Sequence, residues 1–289
     1  MDFAPAPAAA LSDRLTVEID AAIVARQRAE YEAGRGSGIG DVAKKRIGSG
    51  YIGVECGRAL AYRFHRAEKE ERPSTVSPGA LQRHALSGHW TESAMADWLR
   101  LIGFDLHTHR PVVEWRDPEK PEQFGYKAAR DDNGQARIAG EIDGVIVGVP
   151  AALADIVPAP CLWESKKATA KKFAKFAKDG VRTADAAYFG QLQTNMAYMD
   201  VHHALFTMLN LDSMAIYAEL IAIDVVEAQR LTDRAVKVLG TATPEEMPRI
   251  SRDPHDQRCR FCDYHGQCWK PAAATPKQVQ APPWARTAS

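Results

Sequence analysis

The sequence predicts an α/β fold, and three observations predict it. Apolar residues recur at helical spacing over residues 81–104. From Phe104 to Gly148 the period changes to two, and beyond that helical stretches alternate with short apolar strands as far as Gly240. The 289-residue chain is long enough to bury a substantial core. Its 45% hydrophobic and 26% charged content is ordinary for a soluble globular protein. No apolar run approaches the roughly 18 residues of a membrane span. The 37 Lys and Arg balance the 37 Asp and Glu, so nucleic-acid binding would need a local patch. The N-terminus lacks a basic stretch before an apolar core, which predicts a cytoplasmic protein. There, five cysteines suit metal ligation better than disulfides.

In chain order, residues 1–12 are Ala/Pro-rich and read as disordered. A helix follows from Ser12 to about Tyr31, with Leu15, Val17, Ile19, Ile23 and Val24 as apolar positions. The stretch GRGSGIG (34–40) is a flexible break. It lacks the Gly-Lys-Ser/Thr ending of a phosphate-binding loop. Residues 47–67 read as a turn leading into an amphipathic helix with Cys56 near its start. In the helix over 81–104, Met95, Trp98, Leu99 and Ile102 form the apolar face and Gly103 ends it. Glu92 sits one turn earlier, with His89 on nearly the same side. FDLHTHRPVVEW and a hairpin about Asn133-Gly134 predict three antiparallel strands, the third carrying Asp143. CLWESK adds a fourth.

The stretch from Gly140 to Ala168 carries the chemistry. Residues two apart on a strand face the same side, so Glu164 and Lys166 project together while Ser165 points away. Phosphodiester hydrolysis needs a nucleophilic water, neutralised phosphoryl oxygens and a stabilised leaving oxygen. A hard divalent cation held by carboxylates meets those needs. Asp143 and Glu164 could hold Mg²⁺ or Mn²⁺, and Glu92 could add a carboxylate for that ion or a second one. Lys166 could orient or deprotonate the attacking water. Residues 166–181 then bring Lys166, Lys167, Lys171, Lys172, Lys175 and Lys178 before the first acid, Asp179. Such a run suits a solvated helix or a phosphate contact equally. Residues 183–201 form a helix on which Gln191, Asn195 and Tyr198 share one side. ALFTMLN and MAIYAELIAI read as strands and residues 224–240 as a helix. Near the C-terminus, Cys259-x2-Cys262-x5-Cys268 supplies three thiolates where a four-ligand site needs one more. Cys56 is the best candidate, since Cys161 lies on the strand of Glu164. Spacing does not separate Zn²⁺ from an iron–sulfur cluster.

Over residues 47–270 the chain resembles the PD-(D/E)XK nuclease superfamily, and within it the RecB-like and phage exonuclease-type proteins that carry a four-cysteine iron–sulfur cluster. The resemblance rests on Gly-Tyr-Ile-Gly-Val-Glu-Cys56-Gly-Arg, Gly88-His89-x-x-Glu92, Gly-Glu-Ile-Asp143-Gly, Trp-Glu164-Ser-Lys166, Gln191 with Tyr198, and the three C-terminal cysteines. It implies a restriction-endonuclease-like core with a mixed sheet, with Asp143 and Glu164 as metal ligands and Lys166 as the catalytic lysine. Glu92 would be the first-helix acid. Gln191 and Tyr198 would complete the site, and His89 is a further ligand candidate ranked below Glu92. A [4Fe–4S] cluster on Cys56, Cys259, Cys262 and Cys268 would serve structure rather than redox. The family's Gln-x-x-x-Tyr helix motif has Asn195 at its last position here, and Tyr198 would substitute. The expected protein is thus an N-terminal helix and linker (1–40), a nuclease domain (41–272) and a disordered tail (273–289). It would be a metal-dependent DNA exonuclease of phage-type recombination or processing, with DNA and a recombination or helicase protein as partners. An endonuclease, or a catalytically silent DNA-binding subunit, would be the alternatives.

Overall fold

The computed structural model describes residues 8–32, 45–70, 77–109 and 123–270. The Gly-rich stretch 34–40, the tail 273–289 and the start of the Ala/Pro-rich leader lie outside the described residues. Helix α1 spans Ala8–Glu32 and so starts four residues before the expected Ser12. Its Leu15, Val17, Ile19 and Val24 are exposed. Spaced by two and five, they do not share one helical stripe, so no single face of α1 can bury them together.

Strand β1 (Ile47–Gly48) leads into two short helices, α2 (Ser49–Ile52) and α3 (Gly57–Phe64), with Cys56 at the N-cap position of α3. Helix α4 (Pro78–Leu101) starts where Ser77 accepts the N–H of Ala80, with Pro at the first position. It stops before Gly103, whose φ of +102° is left-handed. Met95 and Leu99 are buried as the helical spacing predicts, whereas Ile102 falls beyond the helix end and stays exposed.

The strands form two sheets. The three-stranded one has the order β1–β4–β3 and the five-stranded one β2–β5–β6–β7–β8. Strands β3 (Phe124–Arg130) and β4 (Ala136–Ile142) make the expected antiparallel hairpin, with Gly134 at φ +73° in its turn. Strand β2 (Asp105–His107) does not join that hairpin. It pairs antiparallel with β5 (Gly144–Gly148), which pairs in turn with β6 (Cys161–Ala168). The extended run 136–148 is therefore one ribbon that changes sheet at Asp143. Just past the switch, a Cβ on Gly144 would stand 3.1 Å from both His107 O and Trp163 Cε3, so the close approach of β2 and β6 favours glycine there.

Helices α5 (Ala170–Ala184) and α6 (Ala186–Met199) cross over from β6 to β7 (His203–Asn210), which runs parallel to β6. Strand β8 (Ile216–Ala222) closes the sheet antiparallel to β7, and α7 (Val225–Leu239) follows. The result is a mixed α/β architecture with helices flanking its sheets. Strand β6 is central and covered on both sides, so Cys161–Ser165 are all buried. Leu162 packs with Phe176, Leu192, Met196, Phe206 and Met208 on the α5/α6 side, and Trp163 with Met95, Leu106, Ile146 and Leu205 on the α4 side. A third cluster joins Ile52 and Leu60 to Ile138, Leu231 and Val238.

Two short C-terminal helices, α8 (Gln257–Arg260) and α9 (His265–Trp269), fold back on the segment around α3. Lys69 pairs with Asp263 at 2.8 Å, the Glu70 N–H donates to Asp263 O at 2.8 Å, and the Tyr62 hydroxyl donates to Glu245 Oε1 at 2.7 Å.

One close approach in the core is between the backbones of α2's end and α6. A Cβ on Gly190 of α6 would lie 2.4 Å from Gly53 Cα. Helix propensity favours Ala over Gly by about 1 kcal/mol, but the obstacle here is main chain that cannot rotate aside. Gly190→Ala should therefore destabilise by about 1–3 kcal/mol, read as a lower urea midpoint.

Candidate active site

Strand β6 places Glu164 and Lys166 on the side facing α6, as the alternation predicts. The Lys166 ammonium pairs with Glu164 Oε1 and also donates to Ser165 O at 3.2 Å. Gln191, in the middle of α6, donates from Nε2 to the same Glu164 oxygen at 2.9 Å. The bend residue Asp143 accepts the Ser165 N–H at 2.8 Å through Oδ2, which also stands 4.0 Å from Lys166 Nζ. One carboxylate thus comes from the middle of β6 and another from the sheet switch beside it. The main-chain N–H between Glu164 and Lys166 fixes Asp143 in place.

Glu164 is only 2% exposed, and its Oε2 is buried with no hydrogen-bond partner. Burial, with the nearby Asp143 charge adding, pushes its carboxyl up to about 7 despite Lys166. Glu92, on α4, is likewise raised to about 7, by burial first and Asp143 second, with Lys166 opposing. Burial works against the Lys166 ammonium, but Glu164 and Asp143 outweigh it, so this group stays charged well above the ordinary lysine range. Glu92, Asp143, Glu164 and Lys166 therefore form one electrostatic unit.

The remaining site candidates divide. His89 is largely exposed, with Nδ1 4.0 Å from Glu92 Oε2. Tyr198 stacks on Tyr126 of β3 with ring centroids 4.4 Å apart, two turns along α6 from Gln191. Between them, buried Asn195 donates to Glu141 O at 3.4 Å, and its Oδ1 has no partner. Of the lysines, Lys167 is tied to α4 through Ser87 Oγ and His84 O. Burial lowers its ammonium. Lys175 reaches Ala184 O at 2.5 Å, and Lys172 meets Asp185 and Tyr188. Lys171, Lys175 and Lys178 are exposed on α5.

Tyr188 has no place in the sequence reading, yet its ring centroid lies 5.4 Å from Lys166 Nζ. The signal was available, because Tyr188 precedes Gln191 by three and so shares its face. Asp185 places it by capping α6, accepting the N–H groups of Ala187 and Tyr188 at 3.1 and 3.2 Å.

At the other end of the molecule, Cys56, Cys259, Cys262 and Cys268 line one small cavity with Arg249, Arg258, His265 and Trp269. Arg249 donates from Nε to Cys268 O at 3.1 Å and lies 4.5 Å over the Trp269 ring. His265 Nδ1 contacts Cys259 O at 3.0 Å. Burial pushes the Cys259 and Cys262 thiols up. Cys161 is buried in the core cluster of Trp163 and Leu209 and does not line this cavity. Among the described residues, no three carboxylate, imidazole or thiol groups converge closely enough to hold a single ion, at this cavity or at the carboxylates.

No family model and no curated protein matches the chain. Among solved structures, SSO0001 is similar at 14% identity and a TM-score of 0.40, over 76% of this chain and 84% of that one. An alkaline exonuclease from Laribacter hongkongensis, LHK-Exo, is similar at 12% identity and a TM-score of 0.38, over 68% and 86%. LHK-Exo in complex with dAMP aligns at 13% identity and 0.39, over 68% and 88%. Likeness at this level assigns no family. Among the described residues no helix is long and apolar enough to cross a membrane.

The raised carboxyls set a pH dependence. Between about pH 4.5 and 7 the folded protein holds protons on Glu164 and Glu92 that the unfolded chain has released. Stability without added metal should therefore fall as pH rises through that window. Glu164→Gln, which removes the buried charge, should flatten that fall by on the order of 1 kcal/mol, measured by urea denaturation at pH 5 and pH 8.

Proposed function

We propose that this chain is a divalent-metal-dependent DNA exonuclease. The observation that carries the reading is the Glu164–Lys166 pair on a buried strand, with Asp143 at its side and one oxygen of Glu164 buried and unpartnered. A buried carboxylate oxygen without a donor is costly unless a cation answers it. Mg²⁺ and Mn²⁺ fit this donor set, since such ions take one or two carboxylates and fill the remaining positions with water. Asp143 and Glu164 would hold the ion, and Glu92 would be available to it or to a second one. Bound there, it would polarise the phosphoryl group and lower the pKa of a bound water.

The chain's own residues do the rest. Gln191 holds the Glu164 carboxylate in orientation by its amide N–H. Lys166, kept charged by two carboxylates, acts as a cation and donor to the scissile phosphate rather than as the base. The exposed Lys171 and Lys178 on α5 supply a backbone contact further along the strand, and Lys175 joins them by exchanging its bond to Ala184 O for a phosphate oxygen. DNA-end recombination or processing, alongside a recombination or helicase protein, is the setting this activity suits.

We also propose that the cysteine cavity holds a [4Fe–4S] cluster used structurally, with Zn²⁺ as the alternative. The reading rests on four thiols around one cavity, with Arg249 and Arg258 beside them to balance an anionic group.

Lys166→Ala should abolish Mg²⁺-dependent cleavage of end-labelled linear DNA while leaving the far-ultraviolet circular dichroism unchanged. Covalently closed circles should resist the wild type. Cutting of circles would make the protein an endonuclease, and full activity of Lys166→Ala would remove the site. Protein purified without oxygen should be brown and contain about four irons per chain, whereas a colourless zinc protein would overturn the cluster.

A further inference from the structure

Resting on the nuclease reading above, we propose that Tyr188 and Lys172 form a phosphate seat beside the carboxylates. It takes the phosphodiester of the bound strand that neighbours the one being cut. The first turns of α5 and α6 meet at this point. Lys172 Nζ lies 3.1 Å from Tyr188 Oη, 3.4 Å from Asp185 Oδ2 and 4.3 Å from the centre of the Tyr188 ring. Lys166 Nζ stands 5.4 Å from the same ring. One aromatic ring therefore has two ammonium groups near it, and one of them belongs to the catalytic cluster.

The proton inventory makes this pair an anion site. An ammonium has three donors, and Tyr188 Oη and Asp185 take two from Lys172, which leaves one. The phenol accepts from Lys172 and so keeps its own O–H to donate. Two donors thus lie side by side on a partly exposed surface, with the Lys172 side chain 39% accessible. Asp185 cannot turn away to leave the cation bare, because its other oxygen caps α6. It instead pins Lys172 against the ring. A phosphodiester, singly charged and with two free oxygens, matches one ammonium and one hydroxyl, whereas a neutral ligand would not use the cation. Lys172 thereby separates from the exposed lysines of α5, which reach the backbone further out.

The test reads binding first, with metal omitted, so that it does not depend on turnover. A DNA duplex carries one uncharged methylphosphonate linkage, moved step by step along the strand. Lys172→Gln should weaken binding of the natural duplex about tenfold, the loss of one charge-assisted hydrogen bond. Tyr188→Phe, which keeps the ring, should lose several-fold. At one linkage the methylphosphonate should weaken the wild type but leave Lys172→Gln unaffected, and cleavage mapping should place that linkage next to the cut. Additive losses at every linkage would overturn the seat and leave Lys172 and Tyr188 as a fastener between α5 and α6. Wild-type cleavage of linear DNA is scored separately. If the wild type binds but does not cut, the nuclease reading fails while the coupling still decides the seat. If it binds no DNA, both fall.

Discussion

Everything at the candidate site depends on keeping a carboxylate inside a sheet. Glu164 sits on the central strand, where the surrounding side chains are Leu162, Phe206 and Met208, and water reaches almost none of it. An isolated charge there would be neutralised by protonation. Lys166 and Gln191 both converge on one of its oxygens and leave the other unanswered. The arrangement is half-compensated, and a fold retains such a feature only where the rest of the structure holds it in place. Here the parallel pairing of β6 with β7 and the packing of α6 do the holding.

The sheet switch at Asp143 follows from the same constraint. A straight ribbon would keep residues 136–148 in one sheet and carry Asp143 away from β6. By bending there, the chain uses one segment to pair with β3 and then with β6, and the bend residue lands against the Ser165 amide. The site is thus made by topology as much as by side chains. Glu92, which arrives from α4 on the other face, reports this through its raised carboxyl, set by burial and by Asp143.

What the sequence made legible was local. The relation of Glu164 to Lys166 follows from strand alternation, the β3–β4 hairpin from Asn133-Gly134, and the helix of Gln191 from its periodicity. Four cysteines separated by most of the chain do line one cavity, although spacing alone could not say so. The parts that were not legible depend on partners far away in sequence. Nothing near Lys167 announces that Ser87 and His84 will engage it, so a uniform lysine run reads as one surface when its members have different tasks. The two-sheet arrangement was hidden for a related reason, because an alternating pattern shows which face is buried but not which strand lies alongside. Tyr188 was legible in principle. Helical neighbours lie three or four residues in either direction, and the stripe that runs by fours through Gln191 passes through Ala187 and misses Tyr188.

The clasp between the segment around Cys56 and the segment ending at Trp269 bears on how the molecule is made. Residues 69 and 70 find their partners at Asp263, close to two hundred positions later. Loop closure over that distance cannot occur early, and contacts so distant in sequence are characteristic of slow steps. While the chain emerges from the ribosome, β6, β7 and the helices between them can pack with what is already present. Helix α3 can pack on β4 and α7 once those are made, but Cys56 meets the other three thiols only when the last part is synthesised. The cavity of four thiols is therefore a late product of folding, and it forms only on a chain translated at least as far as Cys268.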